Sequence, residues 1–218
     1  MVRITVYIEG GVLPGDNISA QTIDNSEKFR ESFYQIFQEL IQDNKFNLDI
    51  SPSGPNKQAI KFFQKNLAKG LNSILVIDLD ETKDKKGEKY QEFGILDNQE
   101  RVFFMVQQME AWILSQIDKL EIYAAQEDFA RKHVDQAIEE DPLIRGIHPE
   151  KISEPSKKLN VLLRKYFSIK KMRRGKAKES PKSYGKLKDG PYMIELLSVK
   201  ELIETFEDVK DLKDFFNN

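Results

Sequence analysis

Polar and β-branched apolar residues alternate over VRITVYI (2–8), the period of a strand, and the run ends in Glu9-Gly10-Gly11. Residues 12–22 carry Pro14, Gly15, Asp16 and Asn17 and predict a loop. From Ser26 to Ile41 the apolar positions Phe29, Phe33, Ile36, Phe37 and Leu40 fall on one helical stripe, with Ser26 as its cap. A short strand over 47–50 follows, and SPSGPNK leads into a second helix, AIKFFQKNLAKG, that stops at Gly70. SILVIDLD is apolar on both faces, as a central parallel strand covered on both sides must be. A polar connection over 83–100 precedes RVFFMVQ, a fourth strand, and a helix beginning near Met109. Strand and helix alternate throughout this stretch, which predicts an α/β layer around a mostly parallel sheet. After Leu120 no strand is predicted: EIYAAQEDFARKHVDQAI, PSKKLNVLLRKYF and PYMIELLSVKELIETF read as helices around a basic, irregular stretch. The expected division is an α/β core over 1–120 and a helical extension over 121–218, packed together as one unit.

Composition removes several classes of chemistry. With 39% hydrophobic and 32% charged residues, the 218-residue chain has the make-up of an ordinary globular protein. No apolar run approaches the roughly 18–20 residues of a membrane span, and MVRITVYIEG does not resemble a signal peptide, so a cytoplasmic location without membrane contact is expected. The absence of cysteine excludes disulfides, thiolate metal sites and cysteine nucleophiles. A net charge of -2 conceals an asymmetry: residues 164–188 hold eleven Lys or Arg against Glu179, while 195–214 hold seven acids against three bases. Lys170, Lys171, Arg173, Arg174 and Lys176 are the candidates for a nucleic-acid or polyphosphate contact. The same block equally describes a solvated, self-repelling loop.

In an open parallel sheet, ligands bind beyond the carboxyl ends of the strands. Glu9 follows the first strand, Asp78 and Asp80 end the third, and Glu110 lies just past the fourth. Such an all-oxygen set suits Mg²⁺ or Mn²⁺, because clustered carboxylates repel until a cation neutralises them. Each acid also has an ordinary explanation: a turn cap at Glu9, a solvated Asp80, a favourable helix start at Glu110. Trp112 and the aromatic residues of FRESFYQIF have core spacing, and His133 and His148 read as surface and turn residues. SPSGPNK could offer backbone amides to a phosphate but lacks the Walker pattern.

Two family resemblances bear on these residues. VIDLDET resembles the first motif of haloacid-dehalogenase phosphatases, which implies Asp78 as nucleophile, Asp80 as general acid and Thr82 as an orienting hydroxyl. No later strand supplies that family's acidic pair. VYIEGG and VIDLD, separated by two helices and a strand, resemble the Toprim fold of topoisomerases, primases and overcoming-lysogenization-defect (OLD) nucleases. MVQQMEAWIL, IHPEKISEPSKKL and SYGKLKDGPYMIELL resemble an uncharacterised bacterial Toprim-like family often encoded beside ABC-type or AAA-type ATPases.

That likeness spans most of the chain. It implies a Toprim-like sheet of about four strands flanked by helices with a helical C-terminal extension. It also implies Mg²⁺- or Mn²⁺-dependent cleavage of nucleic acid, DNA or RNA, in a bacterial defence or DNA-processing system with an ATPase partner, a homodimer remaining open. Glu9 would be the acid, base or further ligand, with Asp78, Asp80 and Glu110 holding the metal. Lys186 of SYGKL would be the cation facing the phosphate, with Ser156, Lys157 and Lys158 of EPSKK as lesser candidates. GGVLPGDNISA is longer and more apolar than the family's usual turn, which makes the reach of Glu9 toward the aspartates the critical geometry. A non-catalytic adaptor of the same fold, binding an ATPase or nucleic acid, is the alternative.

Overall fold

A strand that is apolar on both faces needs cover on both, and the computed structural model gives it that. The structure describes residues 1–11, 19–41, 45–173 and 176–217, and within these the side chains of all but 171–177. Strands β1 (Val2–Ile8), β2 (Phe46–Pro52), β3 (Ser73–Asp78) and β4 (Val102–Met105) form an all-parallel sheet in the order β2-β1-β3-β4. All six residues of β3 are buried. Alternate residues divide between two cores: Ile74 and Val76 join Val6, Ile8, Phe29, Phe33 and Trp112, whereas Leu75 and Ile77 join Tyr7, Phe63 and Phe104.

Helix α1 (Ala20–Leu40) covers the first face with its phenylalanine stripe, while α2 (Asn56–Leu67) and α3 (Lys86–Glu92) lie on the second, with Tyr90 and Phe93 packed there. The first core continues into α4 (Glu110–Ser115), α5 (Lys119–Gln126), α6 (Pro155–Tyr166), α7 (Lys186–Ile194), α8 (Val199–Thr205) and α9 (Glu207–Asn217), so residues from Ile4 to Phe216 share one apolar cluster. No helix among the described residues is long and apolar enough to cross a membrane.

Several elements depart from the sequence pattern. Helix α1 starts at Ala20, not Ser26, because the Ser19 hydroxyl accepts from the Thr22 amide; its first turns are polar and carry no stripe to reveal them. Residues 12–18, the heart of the expected loop, lie outside the described residues. The polar connection before β4 contains α3, supported by the i,i+3 pairs Lys85–Glu88 and Lys89–Glu92. The segment 186–205 is two helices, separated where Ser198 caps α8 by accepting from the Glu201 amide.

The largest departure lies in the extension, where no strand was expected. Strands β5 (Ala130–Arg131), β6 (Phe167–Arg173) and β7 (Lys176–Pro181) form a three-stranded antiparallel sheet, and the helix expected through 121–138 ends at Gln126. The β6 and β7 segments, FSIKKMR and KAKESP, show little apolar alternation, since the ladder joins backbones, and among their described side chains only Phe167 joins the apolar core. The Arg131 guanidinium anchors β5 by lying 4.7 Å and 5.5 Å from the ring centres of Tyr166 and Phe167.

Candidate active site

The carboxyl ends of β1, β3 and β4 are adjacent in the sheet, and this places Glu9, Asp78 and Glu110 side by side. After Ile8 the chain must turn sharply. Gly10 does so at φ +116° and exchanges two 2.8 Å hydrogen bonds with Gly54; a Cβ there would come within 2.9 Å of Phe29. Glu9 is thereby aimed along the strand ends, and its Oε2 accepts from the Asp78 amide at 3.1 Å. Glu9 does reach the strand-end aspartate.

Asp78 is 2% exposed. Its Oδ1 accepts from the Met109 amide at 2.8 Å and its Oδ2 from the Lys186 ammonium at 2.7 Å. The same ammonium stands 3.9 Å from Glu110 Oε2. Glu110 is fully buried: its Oε1 accepts from the Tyr184 hydroxyl at 3.0 Å, and its Oε2 has no hydrogen-bond donor among the described residues. Asp78 and Glu110 therefore flank one ammonium, and Glu9, bonded to the Asp78 amide, adds a third carboxylate beside them.

The electrostatics follow from that crowding. Burial, and then the charge of Asp78, push the Glu9 carboxyl up to about 7. Burial pushes Asp78 up to about 6; Lys186 opposes this and Glu110 adds to it. Burial opposes the charge on Lys186, but Asp78 and Glu110 outweigh it and hold the ammonium protonated well above the ordinary lysine range. The Tyr184 hydroxyl is kept neutral by burial and by Glu110 beside it.

Asp80 stands apart from this centre. It is exposed, and its Oδ1 accepts from Gln108 Nε2 at 3.0 Å. Asp80 and Gln107 both adopt left-handed backbone, φ 56° and 61°, and are tied together by the Asp80 amide donating to the Gln107 carbonyl at 2.7 Å. Two non-glycine residues in this region at adjoining strand ends are a local strain of the kind found at functional sites. Gln108 also links the rim to α6, its Oε1 accepting from the Ser156 amide at 3.4 Å.

Lys186 is held by groups that pattern reading missed. Asp189, 1% exposed, accepts from the Gly185 amide at 2.6 Å through Oδ2, and from Lys182 Nζ at 2.6 Å and the Tyr123 hydroxyl at 2.7 Å through Oδ1. These bonds fix the start of α7 so that Lys186, its first residue, meets Asp78. Gly190 leaves room for the approach: a Cβ there would come within 3.0 Å of the Tyr184 hydroxyl and 3.1 Å of the Met109 side chain. The acid in the first turn of α7 was the available signal for Asp189; Tyr184 had none beyond its place beside Lys186.

The basic block divides. Lys182, Lys165 and Lys186 are ion-paired with Asp189, Asp141 and Asp78. Lys170 is exposed on β6, opposite Glu179 of β7. Lys171, Arg173 and Lys176 belong to the same ladder, but their side chains, like all of Arg174, lie outside the described residues.

A hard divalent cation fits this donor set in charge and in chemistry. Asp78 and Glu110 present oxygens to a shared cation position, and Glu110 Oε2 is a buried acceptor without a donor. A preassembled ligand cage is a different matter: among the described residues no three His, Asp or Glu side chains are gathered to hold a metal ion, and the ammonium of Lys186 takes the central place. The chain matches no protein-family model, no curated protein and no solved structure, so its functional reading rests on these residues.

Proposed function

We propose that the chain is a Toprim-like, nuclease-type phosphodiesterase that acts on nucleic acid with Mg²⁺ or Mn²⁺, beside an ATPase partner of the ABC or AAA type. The observation that carries this reading is the convergence of three neighbouring strand ends, where Asp78 and Glu110 share one cation and Glu9 bonds the Asp78 amide. Asp78 and Glu110 would hold the metal, with Asp80 at the rim. A metal bound there would lower the pKa of an attacking water and neutralise charge on the leaving oxygen.

The chain's own residues supply the rest. Glu9, whose carboxyl burial and the Asp78 charge push up and whose Oε2 lies at the Asp78 amide, would accept the proton that the water loses as it attacks phosphorus. Lys186 remains charged at any physiological pH, and its side chain is 36% exposed, so the ammonium can meet a phosphate oxygen arriving from solvent. The exposed Lys170 on the hairpin adds a backbone-phosphate contact that carries no sequence preference.

The test is nicking of plasmid and single-stranded substrates with Mg²⁺ or Mn²⁺. The wild-type protein should cut, and Asp78→Ala/Asp80→Ala should not; equal cutting by the double variant would remove the assigned site. The adaptor reading is favoured by one observation, the central position of Lys186 where a metal would sit. It expects salt-sensitive binding without metal-dependent turnover. A phosphatase reading has less support: Asp78 is nearly inaccessible, and the Thr82 hydroxyl donates to Asp84, not to Asp78.

A further inference from the structure

We infer that Lys186 is a displaceable internal counter-cation: its ammonium occupies the cation position between Asp78 and Glu110, and a divalent metal enters only by turning that ammonium out toward solvent. The inference rests on the functional reading above and adds a rule for how the site is loaded.

Geometry makes the two occupants exclusive. Lys186 Nζ lies 2.7 Å from Asp78 Oδ2 and 3.9 Å from Glu110 Oε2, the oxygens that face the shared position. A metal ion binding both would sit about 2–2.5 Å from each. The ammonium already fills that space, and two like charges cannot share it.

Charge and hydrogen bonding explain why the exchange can occur. Buried carboxylates require a cation, and the ammonium meets the requirement incompletely. Glu9, Asp78 and Glu110 together can carry three negative charges against its one positive charge. Glu110 Oε2, fully buried, still lacks a donor. A divalent ion would answer both deficits.

The lysine also has somewhere to go. Its backbone is pinned at the start of α7 by the Asp189 bonds to Gly185 and Lys182, but its side chain is 36% exposed and is tethered only at its tip. Rotation about its own bonds would carry the charge outward without moving the helix. Once released, the ammonium faces the side from which an anionic substrate arrives, so metal entry and phosphate recognition become one event.

The experiment measures Mn²⁺ binding by calorimetry and by the ion's paramagnetic resonance spectrum, with no substrate present. Lys186→Gln should bind Mn²⁺ at least tenfold more tightly than wild type, and Lys186→Gln/Asp78→Asn should bind none. Equal affinity in wild type and Lys186→Gln would overturn the displacement while leaving a metal site in place. No Mn²⁺ binding by either protein would overturn both the displacement and the metal-dependent reading. If Lys186→Gln is poorly folded without metal, thermal melting decides the matter: Mn²⁺ should raise its melting temperature more than that of wild type, and an equal rise would overturn the inference.

Discussion

Asp78 and Asp141 are both buried aspartates, and each is bonded to one backbone amide and one lysine. Asp141 accepts from the Leu143 amide at 3.0 Å, from Lys165 at 2.7 Å and from the Tyr166 hydroxyl at 2.9 Å. Asp78 accepts from the Met109 amide and Lys186 at matching distances, but where Asp141 has a tyrosine hydroxyl, Asp78 has the carboxylates of Glu110 and Glu9 as neighbours. The consequence is opposite in sign. Burial pushes Asp141 up, yet bonds from Lys165, the Leu143 amide and Tyr166 outweigh it, and its pKa falls below the ordinary value. Asp78 is pushed up to about 6. A buried carboxylate with its donors complete is a structural part, whereas one crowded by others of its kind is held ready for a further cation.

The sharpest way to break this comparison is to delete each aspartate. Asp78→Ala should abolish metal-dependent cleavage, a loss of about a thousandfold or more, as expected when a principal charge-stabilising group is removed. Its folding stability should change little, because Lys186 can turn to water and the repulsion with Glu9 and Glu110 is relieved. Asp141→Ala should do the reverse: it should lose about 1–2 kcal/mol in urea titration, limited by the partial exposure of Lys165, with cleavage per folded molecule unchanged. Equal destabilisation by the two variants would remove the distinction.

Proton linkage gives a second test, measured on metal-free protein. The folded pKa of Glu9, about 7, lies above its ordinary value of 4.5, so the native state binds more protons than the unfolded chain between those limits. Stability should therefore fall as pH rises from about 4.5 to about 7, by on the order of 3 kcal/mol from Glu9 alone, and Glu9→Gln should remove the part of the fall above about pH 6, beyond the range in which Asp78 contributes. Asp141, with its lowered pKa, contributes stability above pH 3.8 that is lost as pH falls through its folded value, and Asp141→Asn should remove that acid-side loss.

Smaller effects sharpen the picture further. Tyr184→Phe removes the hydroxyl that donates to Glu110 Oε1 and should cost about 1 kcal/mol in stability. Lys170→Gln should lower nucleic-acid affinity and reduce the slope of log affinity against log salt by about 1, with no change in Mn²⁺ binding. A change in Mn²⁺ affinity would show that the hairpin and the strand-end site are not separate contacts.

Local pattern was informative in the first half of the chain because one face of each element there is buried against the sheet. The two-faced apolar run of β3, the stripe of α1 and the Glu9-Gly10 turn are written in their own residues, and they place the acids at one edge. Strands β5, β6 and β7 were not legible, because KKMR and KAKESP are dominated by polar and charged residues without apolar alternation, and their order comes from backbone pairing of β6 with β7 and with the distant β5. The same limit applies to the centre of the site. Lys186 and Asp78 are 108 residues apart, and Asp189, Lys182 and Tyr123 have no shared local pattern.

By itself the sequence determined which residues must be inside, which strands carry acids at their ends and which side of the sheet would hold the chemistry, because hydrophobic period and turn stereochemistry act over a few residues. Only the tertiary structure decided that the cation set among these acids is a lysine from the first turn of α7, and that Asp80 lies at the rim. Charge pairing acts through space, and the distances that set its strength exist only once the chain has folded.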